Sequence, residues 1–271
     1  MCRRRDFGEI MARDFDGIDD EMTFSPTGWS GKTAITMMAW LKREGDQSDN
    51  NTMAVHIRIG NNNSWAGLRF ATATSANVSF QIRLAGVSNA PTAIALTNNL
   101  WFMVIGRWLS GEGVKIDVRR ADGTSLGSNA TAAVSGSFDN MIAGAIGRAL
   151  NVGAFFNGLI AEVMILDRQL SLDEAIGMLR YRFPSVNMTR YYPLWGLDAH
   201  FLAPQVGEVE LTGSLDNGNL DGAVFANHAP VGRYVPHRHP FIFPATVPAP
   251  GVVTIFQRSG PWRIGKLRGR G

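Results

Sequence analysis

From Thr33 to Leu166 the hydrophobic positions fall mainly on a two-residue period, in short runs broken by Gly, Asn, Asp and Ser. That is the pattern of β-strands and tight turns, since successive side chains of a strand point to opposite faces. Ala54-Val55-His56-Ile57-Arg58-Ile59 and Val78-Ser79-Phe80-Gln81-Ile82-Arg83-Leu84 alternate strictly. They predict strands over Met53–Ile59 and Asn77–Leu84 in a sheet with one dry face, with Trp65–Ala71 as a third. Thr33–Leu41 carries Ile35, Met37 and Ala39 on one face and Thr36, Met38 and Trp40 on the other, so it is apolar on both sides. Leu100–Leu109 and Val114–Arg119 pair through Ser110-Gly111-Glu112-Gly113, a good hairpin loop. The Ser/Ala/Gly-rich run from Leu126 to Gly136 is too low in bulk to anchor a core. Leu159–Leu166 reads as a strand near the centre of a sheet, with Ile160 and Glu162 on one face and Ala161, Val163 and Ile165 on the other.

The period then changes. Ser171 precedes Leu172, and Asp173 and Glu174 fall in the next turn; a hydroxyl there accepts an orphan N–H and the acids complement the positive helix end. A helix is predicted from Leu172, with Ala175, Ile176, Leu179 and Phe183 at helical spacing and Pro184 stopping it. About ten short strands at this spacing predict an all-β fold, an antiparallel two-sheet jelly-roll sandwich with one short helix near residues 172–183. No repeat of 20–50 residues is visible.

Composition agrees: 45% hydrophobic and only 18% charged residues, with 30 Gly, suit a turn-rich β protein. Cys2 is the only cysteine, which excludes an internal disulfide or a thiolate metal site and reads as incidental. Arg3, Arg4 and Arg5 are followed by no apolar h-region, and no apolar run approaches the roughly 20 residues a membrane span needs. Neither a signal peptide nor a membrane partner is expected. Met11 is a candidate alternative start.

Charge changes the picture more. All 23 acidic residues lie at or before Asp221, and residues 222–271 hold seven Lys or Arg with no Asp or Glu, so a body near −4 precedes a segment near +7. Such asymmetry suggests that body and tail meet different partners. From Pro236 to Gly271, six prolines and five glycines alternate with Phe241, Phe243, Phe256 and Trp262 and with basic residues that include Arg258, Arg263, Lys266, Arg268 and Arg270. This segment cannot form a core of its own, and it is too apolar for a plain solvated linker. It is read as an extended C-terminal arm. Basic charge with interleaved aromatics can bind single-stranded nucleic acid, but the sparse charge and the proline spacing favour an arm laid along an acidic, apolar neighbouring protein.

The strand Leu159–Leu166, the corner Asp167-Arg168-Gln169-Leu170-Ser171 and the helix after it resemble the C-terminal end of laminin-G-like, concanavalin A-like domains. Asp14-Phe15-Asp16-Gly17-Ile18-Asp19-Asp20 is similar to the opening strand and turn of the same family. The resemblance implies a jelly-roll domain over 12–196, flanked by an N-terminal arm (1–11), a β-turn-rich extension packing on the domain (197–235) and the basic arm (236–271). Ala226-Asn227-His228-Ala229-Pro230-Val231-Gly232-Arg233 resembles segments that follow such domains in phage proteins.

Candidate chemistry is sparse. Glycosidases of this fold place two carboxylates across a groove, which the family's glucanases carry as E-x-D-x-x-E; no such string occurs here. Glu162 and Asp167, five apart, face opposite sides of an unbroken strand and read as a capped or paired structural carboxylate and as a corner ion pair with Arg168 or a turn. No catalytic residue is expected. Asp14, Asp16, Asp19 and Asp20 offer oxygens suited to Ca²⁺, which some domains of the family bind at their rim, but turn formation explains them equally well. His228, His237 and His239 lack a third ligand and read as loop histidines. No metal or other cofactor is therefore expected, with Ca²⁺ as the one candidate. The glycine strings Gly111-Glu112-Gly113 and Gly144–Gly147 lack the strand-to-helix context of a phosphate loop.

Asn61-Asn62-Asn63-Ser64-Trp65 sets amides beside an aromatic, as glycan contacts do, although Asn-rich turns are ordinary and Trp65 can face the core. The resemblance and the arm together give the expectation of a non-enzymatic phage virion structural protein. The first choice is a capsid decoration (cement) protein on the outer surface of the shell, an oligomer of itself held to the major capsid protein or another virion protein by its terminal arms. A tail or fibre module that recognises a host glycan is the alternative, and nucleic acid is disfavoured.

Overall fold

The computed structural model describes residues 11–24, 28–58, 63–150, 152–181, 190–192, 194 and 225–227. In chain order the strands are β1 (Met11–Asp16), β2 (Met22–Phe24), β3 (Ala34–Arg43), β4 (Thr52–Arg58), β5 (Trp65–Phe70), β6 (Asn77–Leu84), β7 (Val87–Asn89) and β8 (Ile94–Ala95). They continue as β9 (Phe102–Leu109), β10 (Glu112–Arg120), β11 (Ser125–Val134), β12 (Ala143–Ile146), β13 (Arg148–Ala149), β14 (Ala154–Phe155) and β15 (Asn157–Leu166). After the helix α1 (Leu172–Tyr181) come β16 (Arg190–Tyr192) and β17 (Phe225–Asn227). Sheet 1 runs β11-β10-β9-β3-β15-β1-β17, with β16 also on β15; sheet 2 runs β2-β12-β4-β5-β6-β7, with β8 on β6. Every pairing is antiparallel, and β13 and β14 form a separate two-stranded ribbon. The expected two-sheet sandwich with one short helix is what the chain forms.

The core lies where the inner faces meet. Ile35, Met37 and Ala39 of β3, Val104 of β9, Ile116 of β10 and Ile160 of β15 face Val55, Ile57, Leu68, Phe80 and Ile82 of sheet 2. Each of these side chains larger than alanine, once buried, contributes about 1.5–3 kcal/mol. The sheets come so close at one point that only hydrogen fits: a Cβ on Gly106 would stand 2.2 Å from the Phe80 ring. Trp29, Phe138 and Trp108 pack edge to face, with centroids 6.0 and 5.2 Å apart, and the Trp108 indole donates to the Val134 carbonyl at 3.1 Å.

The outer face of sheet 1 is also dry. Met38, Trp40, Met103, Ile105, Met164 and Leu166 meet Leu170, Ala175 and Met178 there. Helix α1 begins where its signals place it: the Glu174 N–H donates to Ser171 Oγ at 3.2 Å and the Ser171 N–H donates to Glu174 Oε2 at 2.8 Å, a reciprocal cap.

One expectation needs correction. Strand β15 is not an unbroken alternation. It carries a bulge between Ala161 and Met164 at which Glu162 takes φ +52°. The extra residue resets the phase, so Ile160, Val163 and Ile165 share the inner face, while Ala161, Met164 and Leu166 face outward. The low-bulk run after Leu126 forms an edge strand, β11, with no buried residue, as its lack of bulk predicts; only Leu126 and Val134, partly buried, pack against the core. Among the described residues no helix is long and apolar enough to cross a membrane.

Candidate functional site

The arm residues Phe241, Phe243, Phe256, Arg258, Trp262, Arg263, Lys266, Arg268 and Arg270 lie outside the described residues, as do Cys2, His228, His237, His239, Asn61 and Asn62. Asn63 is exposed. Trp65 is not a stacking platform: it is 4% exposed. It points away from the core between the sheets, yet the β13–β14 ribbon covers it, so that Met53, Trp65, Ala149 and Ala154 form a small apolar cluster. His56 packs edge-on against it with centroids 5.5 Å apart and accepts the Leu150 N–H on Nδ1 at 3.0 Å. Burial, reinforced by the charge of Arg58, pushes the imidazole down to about 3 and keeps it neutral.

The carboxylates considered for catalysis lie on β15 and in the bend that follows it. Glu162 is fully buried at the β15 bulge. Asp167, in the bend after β15, pairs with Lys32 at 2.6 Å, and Arg168 reaches Glu174 at 3.5 Å.

The opening turn gathers acids. Carboxylate oxygens of Asp16, Asp19 and Asp20 lie within 4.8 Å of one another. Asp16 Oδ1 accepts the N–H groups of Ile18 (2.7 Å) and Asp19 (3.4 Å), and Asp20 Oδ2 accepts that of Asp16 (2.9 Å). These bonds make the turn, with Gly17 at φ +79°. Of the six oxygens these three carboxylates carry, Asp16 Oδ1 and Asp20 Oδ2 already accept backbone N–H groups, so Ca²⁺, which takes six to eight oxygens, would need further ligands from backbone carbonyls or water here. Neighbouring Asp14 is raised to about 6, first by burial, then by the charges of Glu44 and Asp20, against the pull of Lys42. The folded chain thus holds this proton more tightly than the unfolded chain, whose carboxyl titrates near 3.8. Ionisation of Asp14 costs stability as pH rises from about 4 to about 6 and is relieved as pH falls back through that window. Asp14→Asn should therefore melt above the parent at pH 7, with the difference vanishing below about pH 4; paired thermal melts at the two pH values check this.

A pocket of about 560 Å³ opens at the end of sheet 1 where β9 begins and β10 ends, lined by Asn99, Leu100, Trp101, Phe102, Arg120, Ala121 and Asp122. Phe102 points into the core, so Trp101, one residue earlier, faces outward, half-buried against the outer apolar cluster that also includes Ala121. Asn99 stands at φ +63°, and its N–H donates to the Arg43 carbonyl at 2.7 Å. The Arg43 side chain, 1% exposed, donates to Asn98 Oδ1 (2.7 Å), Asp46 Oδ1 (3.1 Å) and the Ala73 carbonyl (2.9 Å), tying three loops together. On the far wall, Asp122 Oδ1 accepts both the Thr124 hydroxyl (2.7 Å) and the Thr124 N–H (2.8 Å), which hold its carboxyl below the usual carboxylate range. The Gly123 N–H, donating to the Arg120 carbonyl at 2.9 Å, closes the turn that presents Arg120 and Asp122. One pocket lining thus combines an indole with an amide, a carboxylate and a guanidinium.

Sequence reasoning missed this site although its signal was present. Asn98-Asn99-Leu100-Trp101 repeats the amide-then-tryptophan order of Asn62-Asn63-Ser64-Trp65. What separates the two is the ribbon over Trp65, which arrives from residues about ninety positions downstream.

The fold has relatives among solved structures. A native heptameric SAP-like pentraxin from Limulus polyphemus aligns with a TM-score of 0.55 at 11% identity, over 83% of this chain and 98% of that one. A putative carbohydrate binding protein from Bacteroides ovatus aligns with a TM-score of 0.59 at 14% identity, over 82% of this chain and 60% of that one. The enzymatically active domain of tailspike protein 2 from bacteriophage CBA120 aligns more loosely, with a TM-score of 0.49 at 15% identity, over 65% of this chain and 28% of that one. No curated protein sequence matches the chain. Residues 16–175, more than half of the chain, match the family profile described as the concanavalin A-like lectin/glucanases superfamily, and it is to this family that the chain belongs.

Proposed function

We propose that this chain is a non-enzymatic glycan-binding module whose sugar ring lies on Trp101. The presence of Asn99, Arg120 and Asp122 with the half-buried Trp101 in the lining of one pocket carries the reading. A pyranose presents an apolar face to an aromatic plane and hydroxyls at its edge; an ionised carboxylate accepts from two of them, and the guanidinium and amide donate. The pocket volume lies within the range of small-ligand sites. The Bacteroides ovatus neighbour, described as a putative carbohydrate binding protein, supports this at the level of fold. The burial of Glu162 and the pairing of Asp167 support a site that binds without cleaving. The full chain, applied to a broad glycan array, should give a defined ligand set; a folded chain with no signal on any glycan sinks the reading.

A second reading concerns attachment and rests on the acid-free stretch 222–271 with its seven basic residues. In it the sandwich is displayed on a virion, as a capsid decoration protein, and the arm lies along an acidic neighbouring protein. Deleting residues 237–271 should leave a folded sandwich that no longer attaches to particles. Undiminished occupancy of the truncated chain would remove this reading without touching the first.

A further inference from the structure

The β13–β14 ribbon lies on the outer face of sheet 2. Strand β4 turns Met53 and His56 to that face, since Val55 and Ile57 fill the inner one, and Ala149 and Ala154 of the ribbon pack on Met53 and Trp65. At the root of the ribbon the Gly147 N–H donates to the Ala54 carbonyl (2.9 Å) and the Phe156 N–H donates to that of Gly147 (2.7 Å). Along its flank the Phe155 N–H donates to Ser48 Oγ (2.6 Å) and Arg148 Nη1 donates to Glu21 Oε1 (2.7 Å). At its turn the Leu150 N–H donates to His56 Nδ1 (3.0 Å).

That last bond requires a neutral imidazole. Nδ1 accepts, so the one ring proton sits on Nε2. A second proton would go to Nδ1 and set one N–H against another. His56 is fully buried, and its Nε2 has no hydrogen-bond partner among the described residues; nor has the indole Nε1 of Trp65, which packs edge-on against it. The closed ribbon thus keeps two N–H donors from water with nothing to accept them, and opening returns both to water. The charged groups around the ring are Arg58 on its own strand, Arg69 on β5 opposite Met53, and Arg148 of the ribbon with its partner Glu21; β12 places Ala145 beside it.

We propose that this contact is an acid-sensitive latch: protonation of His56 frees the β13–β14 ribbon from sheet 2 and uncovers Trp65. Burial and the charge of Arg58 hold the imidazole at about 3 while the ribbon is closed, and in the open form it returns toward the ordinary 6.5. The open form takes up a proton that the closed form refuses, so from about pH 6.5 down to about pH 3 the ratio of open to closed rises about tenfold for each unit lost. The latch stands apart from the Trp101 pocket on sheet 1, and either can fail without the other.

The test is hydrogen exchange of the full chain, followed by NMR at about pH 7 and about pH 5 and corrected for the intrinsic pH dependence of exchange. Protection of the Leu150 and Gly153 amides and of the Trp65 indole N–H should lie below that of the central strands β3 and β9, and should fall about 25-fold between the two pH values. His56→Asn, which keeps an oxygen acceptor near the place of Nδ1 but cannot be protonated, should show no such fall. Asp14, whose titration also crosses this range, sits on β1 in sheet 1 and moves stability the other way. Ribbon protection equal to that of β3 and β9 overturns the latch, because the ribbon then opens only with the whole domain. Ribbon protection that does not change with pH in the parent overturns it even if His56→Asn does not fold. A folded His56→Asn chain that keeps the parent's fall assigns it to another titrating group and overturns the latch as well.

Discussion

Gly106→Val should abolish cooperative folding, or leave a sandwich weaker by more than about 4 kcal/mol, an exceptional loss for one substitution. Three atoms of Phe80, the ring carbons Cγ and Cδ2 and the Cβ, lie 2.2, 2.3 and 2.7 Å from where a Cβ on residue 106 would stand. Neither side can retreat. Gly106 is paired with Met37 on β3 and with Ile116 on β10, so β9 is held in the middle of sheet 1. Phe80 is held by Leu68 on β5 and is fully buried. The added methyls must therefore drive the ring from its place or part the sheets, and a domain with the usual stability of about 5–15 kcal/mol has little margin for either. Chemical denaturation followed by tryptophan fluorescence measures the loss. Combining Gly106→Val with Phe80→Ala should recover part of it if ring overlap is the cause; a single variant within about 1 kcal/mol of the parent means that the sheets are not in such contact.

Trp101→Ala should weaken glycan binding about 30-fold or more, the loss of at least about 2 kcal/mol expected of a central aromatic anchor. Removing the indole removes the plane on which the sugar rests, while Asn99, Arg120 and Asp122 keep their positions. Arg43 fixes the first through the backbone of β3, and the Thr124 turn fixes the others. The fold should survive, because Trp101 is half-buried at the margin of the outer cluster rather than at its centre. Trp101→Phe should fall between parent and alanine variant, since it keeps a smaller plane. Equal affinities across the three, with melting unchanged, would place the glycan elsewhere.

Much of the sandwich was legible locally. Strand β6 begins and ends where the alternation from Asn77 to Leu84 does, and α1 begins at Leu172 because the cap that Ser171 and Glu174 form is a local signal. Gly111, at φ +88° in the hairpin, was equally readable. What escaped depends on distant parts of the chain. The bulge at Glu162 inserts one residue against β3 and flips the face of what precedes it, and nothing within Leu159–Leu166 marks that position. The edge strand β17 pairs with β1 across more than two hundred residues, from a stretch whose composition reads as turns. The two tryptophans make the same point for function. Local order gives Asn63-Ser64-Trp65 and Asn99-Leu100-Trp101 the same standing. Only the ribbon of β13 and β14 closes over the first and leaves the second facing outward.

The central claim is that Trp101 is the floor of a glycan site, and the indole N–H resonances of the seven tryptophans report on it directly. During titration of the full chain with its best array ligand, the Trp101 resonance should shift along a saturable curve that matches the binding isotherm, while those of buried Trp29, Trp65 and Trp108 stay in place. A ligand that saturates the protein without moving the Trp101 resonance contradicts the account.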